Sequence, residues 1–158
     1  MRSRSALGIL IAVLSIAAAT TYFRYQRTPA PVIHGPLLVE ARGHGRAWRF
    51  TYSGPDQILG TSDDRVNEEH LILPEGAEVV VQLRSDDFIY VFSCPDLKLK
   101  EIAVPDLEFS IAFQTPHPST HDLAMDPMCG FLLSPSETMG TLRVISQNDF
   151  RKWLEKRH

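Results

Sequence analysis

The stretch Ser85 to Met139, SDDFIYVFSCPDLKLKEIAVPDLEFSIAFQTPHPSTHDLAMDPMCGFLLSPSETM, decides how the rest of the chain is read. Phe88 to Phe92 and Phe109 to Phe113 are short apolar runs rich in aromatic and β-branched residues, the composition of strands with at least one buried face. The stretch closes on a loop that carries Met125, Cys129 and Met139 among prolines. Thiolate and thioether are soft donors that suit Cu(I), so a metal site is the sharper reading of this loop. The plainer one is that methionines fill gaps in a core and a cysteine is a small buried residue.

Upstream, Leu37 to Glu40 is a short apolar run and Trp48 to Tyr52 alternates apolar with polar residues, as a strand with one buried face does. Leu71 to Leu83, LILPEGAEVVVQL, reads as a strand, a turn at Pro74-Glu75-Gly76 and a second strand. Leu142 to Ile145 makes a last short strand, and no run of helical period separates Leu38 from Ile145. The C-terminal segment differs: Phe150, Trp153 and Leu154 share one helical face, and Ser146 with Asp149 has the spacing of a capping box. About seven short strands with turns between them indicate an all-β sandwich closed by a short helix. Between Ser53 and Asp64, Asp56, Asp63 and Asp64 are read as a solvated turn rather than as ligands to a hard cation.

The N-terminus stands apart. Ala6 to Phe23 is apolar except for small polar residues, with Arg2 and Arg4 before it and Arg24 and Arg27 after it. That length reaches the lower limit for spanning a bilayer, and Tyr22, Phe23 and Tyr25 resemble an interfacial belt, so residues 1–27 are read as a membrane anchor. A cleaved secretory signal is the rival, since Ala17, Ala18 and Ala19 are small enough to be cleaved after. Residues 28–36, with three prolines in TPAPVIHGP, form a stiff linker, and residues 37–158 form the domain. Either reading of the N-terminus puts that domain outside the cytoplasm.

Composition narrows the function. At 158 residues and 44% hydrophobic, the chain has room for one domain of ordinary size and an anchor. A formal net charge of -3 gives no broad basic surface, which argues against a nucleic-acid partner. No GxSxG, HExxH or glycine-rich phosphate loop appears, so hydrolase and nucleotide chemistry have no support.

Five segments in order carry a family resemblance: GHGRAWRFTYSGPD, LPEGAEVVVQLRSDDFIYVF, PDLKLKEIAVP, the loop from Pro118 to Gly130, and FRKWL. Together, over most of residues 37–154, the chain resembles cytochrome c oxidase subunit II and its copper-binding cupredoxin domain, which implies a cupredoxin-like Greek-key β-sandwich. The family's dinuclear copper centre is bridged by two cysteines four residues apart and completed by two histidines, a methionine and a backbone carbonyl. Carried over, the first histidine position is Tyr90, the first cysteine Met125, the carbonyl Pro127, the second cysteine Cys129 and the second histidine Leu133. The methionine position is Ser136, or Met139 if SPSET holds an insertion. The first of the family's paired tryptophans is Arg46, the second is Trp48, and an acidic position is Ile102.

These departures alter the chemistry. A neutral thioether at Met125 cannot bridge two coppers as a thiolate does. A phenol with an ordinary pKa near about 10 is a poor stand-in for an imidazole, and Leu133 offers no donor. The resemblance thus implies an accessory, non-catalytic subunit that docks on the catalytic subunit of a heme-copper oxidase, single-pass in the membrane, with its dinuclear site lost. No cofactor is expected, and copper is the metal the remaining donors would suit. Two alternatives stay open: an extracytoplasmic mononuclear copper-binding or copper-delivery domain using Cys129, Met125 and Met139, and an active electron-transfer subunit. Cys129 itself reads as a core residue, a disulfide partner of Cys94, or a ligand.

Overall fold

The computed structural model describes residues 35–54, 56–68, 70–125 and 138–155. The anchor expected over residues 1–27, the linker expected over residues 28–36 except for its last two residues, and Pro127, Cys129, Leu133 and Ser136 lie outside the described residues. Among the described residues no helix is long and apolar enough to cross a membrane.

Strand β1 (Leu37–His44) buries alternate residues Leu37, Val39 and Ala41, and β2 (Ala47–Tyr52) buries Trp48, Phe50 and Tyr52 in the same way. Successive side chains of a strand point to opposite faces, so each set lines one side of a sheet. There follow β3 (Arg65–Glu68), β4 (His70–Pro74), β5 (Glu78–Ser85), β6 (Tyr90–Cys94), β7 (Leu99–Ala103), β8 (Phe109–Gln114), β9 (Ser119–Ala124), β10 (Thr138–Ile145) and a helix, α1 (Gln147–Glu155). Two five-stranded sheets result, in the orders β3-β2-β1-β5-β8 and β4-β10-β9-β6-β7. Neighbours are antiparallel except β1 with β5 and β4 with β10, which run parallel. The core lies between the sheets, with Val79, Val81 and Leu83 from one and Leu71, Leu73, Phe92, Leu123 and Leu142 from the other.

The β-sandwich with a short terminal helix expected from the sequence is the fold observed, with two differences. Ten strands are described rather than about seven. The additional ones are β3, β7 and β9, whose sequences RVNE, LKEIA and STHDLA carry charged or polar residues. Two of them are edge strands, where one side of the backbone and much of one face meet water. The second difference is one of boundaries. Phe88 and Ile89 precede the strand instead of opening it, because Ser85 Oγ donates to the Phe88 carbonyl and closes a turn that leaves both side chains about half exposed. β6 then runs from Tyr90 to Cys94 with every residue buried: Tyr90, Phe92 and Cys94 face the core and Val91 and Ser93 the other side.

Pro74-Glu75-Gly76 is a turn, as its composition predicts, but β4 and β5 belong to different sheets, so the turn carries the chain across the sandwich. Gly76 takes a positive φ of 65°, which a side chain would strain. Buried Thr115 staples this corner: its Oγ1 donates to the Pro74 carbonyl at 2.6 Å and accepts from the Ala77 N–H at 2.8 Å, while its own N–H donates to the Ala77 carbonyl at 2.9 Å.

Helix α1 begins where Ser146 Oγ accepts the Asp149 N–H at 3.1 Å, the N-cap bond that the spacing predicts. Its apolar face meets β2: Trp153 stands edge-on to Tyr52 at 4.9 Å and Phe150 lies 6.4 Å from the same ring. The Arg65 guanidinium caps this cluster, 4.0 Å above Trp153, and donates to the Leu154 carbonyl at 3.2 Å. Beneath it, the fully buried Tyr52 hydroxyl accepts the Ile72 N–H at 2.7 Å and ties the two sheets together. Burial pushes the Tyr52 phenol far above its ordinary pKa, so it stays neutral. Tyr52→Phe leaves a buried N–H without its acceptor, and urea unfolding is expected to show a loss of about 1–3 kcal/mol.

Candidate functional site

His44 pairs with Ala47, so β1 and β2 are joined by the two residues Gly45 and Arg46, both with positive φ, 57° and 72°. That is the type I′ geometry whose twist suits a hairpin. Glycine takes it freely, whereas a left-handed backbone costs a residue with a side chain about 1 kcal/mol. Side chains from the other end of the β5–β6 turn hold it in place. The Arg46 N–H donates to the Tyr90 hydroxyl at 3.2 Å and the Gly45 N–H to Asp87 Oδ2 at 2.9 Å. Tyr90 in turn donates to Asp87 Oδ1 at 2.7 Å, an oxygen that also accepts the Phe88 N–H at 2.9 Å.

Tyr90 is completely buried, and its ring is wedged between Trp48, at 5.7 Å, and the backbone of β1. Gly43 makes the second contact possible: a Cβ there would fall 2.4 Å from the ring's Cδ2, well inside contact distance. Trp48 also packs edge-on against Phe92 at 5.7 Å. The Trp48 Nε1 is buried with no hydrogen-bond partner among the described residues. Partial burial of Asp87 works against its ionised form. The bonds from Gly45, Tyr90 and Phe88, with His44 close by, outweigh that and hold its carboxyl below the ordinary value of 3.8.

The other candidate residues fall into two groups. Ser93 pairs with Ala124, and Ala124 with Thr138, which sets Met125 just past the end of β9 and Met139 one residue into β10. Met125 is half-buried against the core, and Met139 is buried within it, 2% exposed. In register Met125 falls opposite Phe92 and Met139 lies level with Ser93 and Cys94, so among the described residues the two methionines do not gather at Tyr90. Cys94 closes β6, roughly 13 Å along the strand from Tyr90, and is nearer in register to Met139 than Tyr90 is. Burial pushes its thiol above the ordinary pKa, which keeps it protonated and a poor ligand. It has no disulfide partner among the described residues.

His117, His121 and Met125 stand four residues apart but share no helical face, because residues 119–124 are a strand. His121 is engaged there by Asp96 Oδ2 and Ser119 Oγ, each at 3.0 Å. Among the described residues no three His, Cys, Asp or Glu side chains gather as a metal site. The acidic turn is internally satisfied: Asp56 accepts from the Ile58 N–H and Asp64 from the Gly60 N–H, and the Thr61 hydroxyl holds Asp63 below its ordinary pKa.

Sequence reading had singled out Tyr90 and Arg46 separately and missed Gly43, Gly45 and Asp87, which join them. The signal was present as Gly-x-Gly ahead of a strand and as the Asp-Asp turn before Tyr90.

No protein-family model matches the chain. It is 24% identical to the alternative cytochrome c oxidase subunit 2 of Bradyrhizobium diazoefficiens, over a 171-residue alignment that takes in 94% of this chain and 60% of that protein. It is 28% identical to the probable quinol oxidase subunit 2 of Staphylococcus epidermidis, across 94% of this chain and 37% of that one. The chain thus spans less than two thirds of the length of these relatives. Among solved structures it matches the periplasmic domain of subunit II of cytochrome oxidase from Bradyrhizobium japonicum, with a TM-score of 0.57 and 18% identity over 75% of this chain and 91% of that domain. It also matches a mixed-disulfide intermediate between a thioredoxin-like protein and subunit II of cytochrome c oxidase, with a TM-score of 0.61 and 19% identity over 78% and 92% of the two chains. The domain is a cupredoxin-like β-sandwich. In sequence the chain is similar to subunit 2 of cytochrome c and quinol oxidases, and its fold is that of the subunit II periplasmic domain.

Two outcomes test this arrangement. Gly43→Ala forces the Tyr90 ring off β1 and should cost about 1–3 kcal/mol. In a Tyr90→Ala background most of that cost should vanish, as a double-mutant cycle in urea would show. Because the folded-state pKa of Asp87 is depressed, its contribution to stability is present above the ordinary aspartate value and is lost as pH falls below it toward the folded value. Asp87→Asn should flatten the acid limb of the stability profile below about pH 4 and leave its slope at neutral pH unchanged.

Proposed function

We propose that this chain is an accessory, structural component of a respiratory heme-copper oxidase, similar to subunit II, in which the dinuclear copper site does not form. Residues 1–27 anchor it in the membrane as a single pass, residues 28–36 are the linker, and the domain of residues 37–158 rests on the catalytic subunit at the extracytoplasmic face. The observation that carries this reading is the state of Tyr90, at the position where the resemblance puts the first histidine ligand. Its hydroxyl donates to Asp87 and accepts from the Arg46 N–H, and its ring is wedged between Trp48 and Gly43. A neutral phenol engaged in this way does not replace an imidazole lone pair. Met125, where the resemblance sets the first cysteine, offers a thioether without charge where a bridging thiolate is required. The side chains described do not fit a dinuclear copper centre, and no electron-transfer step is assigned to one.

The second reading, one Cu(I) held by Cys129 with Met125 or Met139, is favoured by Met125, half-buried just past the end of β9. Purification of the full chain from its native membranes, followed by heme and copper analysis, separates the two. The structural role predicts co-purification with a heme-containing subunit and no near-infrared band of a mixed-valence copper pair after copper loading. Such a band would overturn the proposal, and so would recovery of the chain free of any heme protein. Stoichiometric Cu(I) that survives dialysis and disappears in Cys129→Ser would establish the mononuclear site instead.

A further inference from the structure

Edge strands present unpaired backbone donors and acceptors, and natural domains blunt them with charges, prolines or covering segments. Among the described residues, three of the four sheet edges follow that rule. β3, RVNE, is charged at both ends, β4, HLILP, ends in proline, and β7, LKEIA, carries Lys100 and Glu101. β8, FSIAFQ, has neither a charge nor a proline, yet it forms the edge of its sheet beyond β5. Phe109, Ile111 and Phe113 pack on the core face of the sandwich but are only half-buried, while Ser110 and Ala112 on the opposite face are exposed.

The order of these residues is close to a palindrome. With a two-fold axis through Ile111, an antiparallel copy sets Phe109 against Phe113, Ile111 against Ile111 and Ser110 against Ala112. Aromatic and branched pairs of this kind are the ones that stabilise facing strands. Glu108, already paired with Arg84 of its own chain, comes opposite Gln114, so no like charges meet. Other registers do worse. Shifting by one residue puts the apolar faces of the two copies on opposite sides of the joined sheet. Shifting by two leaves a phenylalanine opposite Thr115 or Leu107 instead of its ring partner.

We infer that β8 is a self-complementary docking edge and that its occupant is β8 of a second copy of this chain, joined antiparallel about Ile111. The half-exposed faces of Phe109, Ile111 and Phe113 are then covered by the same residues of the partner, and one sheet runs through both copies. This inference does not depend on the proposed oxidase role.

Cysteine cross-linking of the full chain in detergent reads the register directly. Ser110→Cys and Ala112→Cys change exposed side chains, so both variants should fold. Neither should form β8-linked disulfide dimers alone, whereas a mixture of the two should do so under mild oxidation, beyond the level that native Cys94 and Cys129 give in the unmodified chain. In parallel, Ser110→Lys combined with Ala112→Lys faces lysine with lysine across the axis and should weaken dimerisation about tenfold, measured by sedimentation. A full chain that stays monomeric, cross-linking by either single variant in place of the mixture, or a dimer indifferent to the paired lysines would each overturn the inference.

Discussion

A hydroxyl buried between two sheets has to find partners, and the one on Tyr90 finds them across the sandwich. It belongs to a strand of the second sheet, but it accepts from the turn that closes the first hairpin of the other sheet and donates to Asp87 in the connection between the two. That set of bonds fixes the angle at which the β1–β2 hairpin meets β6. It makes a left-handed arginine tolerable at the turn, and it requires glycine at position 43 so that the ring can lie flat on the strand. Tyr52 does the same work at the other side of β2 by accepting the Ile72 N–H. The two sheets are thus pinned by two phenols.

Tyr90 stands where the resemblance sets a histidine, and its neighbours are arranged around a phenol. Imidazole at position 90 would leave the turn amide of Arg46 and the carboxylate of Asp87 to find other partners. The phenol gives each of them one. Trp48 keeps its place against this ring and Phe92, so the aromatic cluster persists as packing. Arg46 is a turn residue whose amide donates to the phenol, so the β1–β2 turn, Asp87 and Tyr90 form one hydrogen-bonded unit.

Much of the fold was legible because period-two alternation is strong where one face is buried: β1, β2 and β5 could be read directly from Leu37, Val39 and Ala41, from Trp48, Phe50 and Tyr52, and from Val79, Val81 and Leu83. The terminal helix was legible from Ser146 and the Phe150, Trp153 and Leu154 face. What escaped were strands whose partners supply the reason for their existence. STHDLA is a strand because β6 and β10 flank it, and RVNE because β2 offers a ladder; neither has a period of its own. The start of β6 was misplaced because Phe88 and Ile89 look like core and are not, a Ser85 side-chain bond having closed a turn over them. At the candidate site, the residue types at Tyr90 and Met125 could be read directly. The tie from Tyr90 to Asp87 and Arg46 could not, since it spans more than forty positions and depends on how the hairpin and the turn approach each other.

The two parallel pairings have a consequence for how this domain comes into being. β4 lies beside β10, and β10 sits between β4 and β9, so the second sheet has no continuous ladder until almost the whole chain has been made. Loop closure over such a separation must precede any reward from contact. A ribosome that has released everything up to β9 has supplied the first sheet and three strands of the second, with β4 stranded on its own, the kind of intermediate that chaperones and proteases recognise. The last strand and the helix behind it are the latch that turns a vulnerable chain into a finished domain.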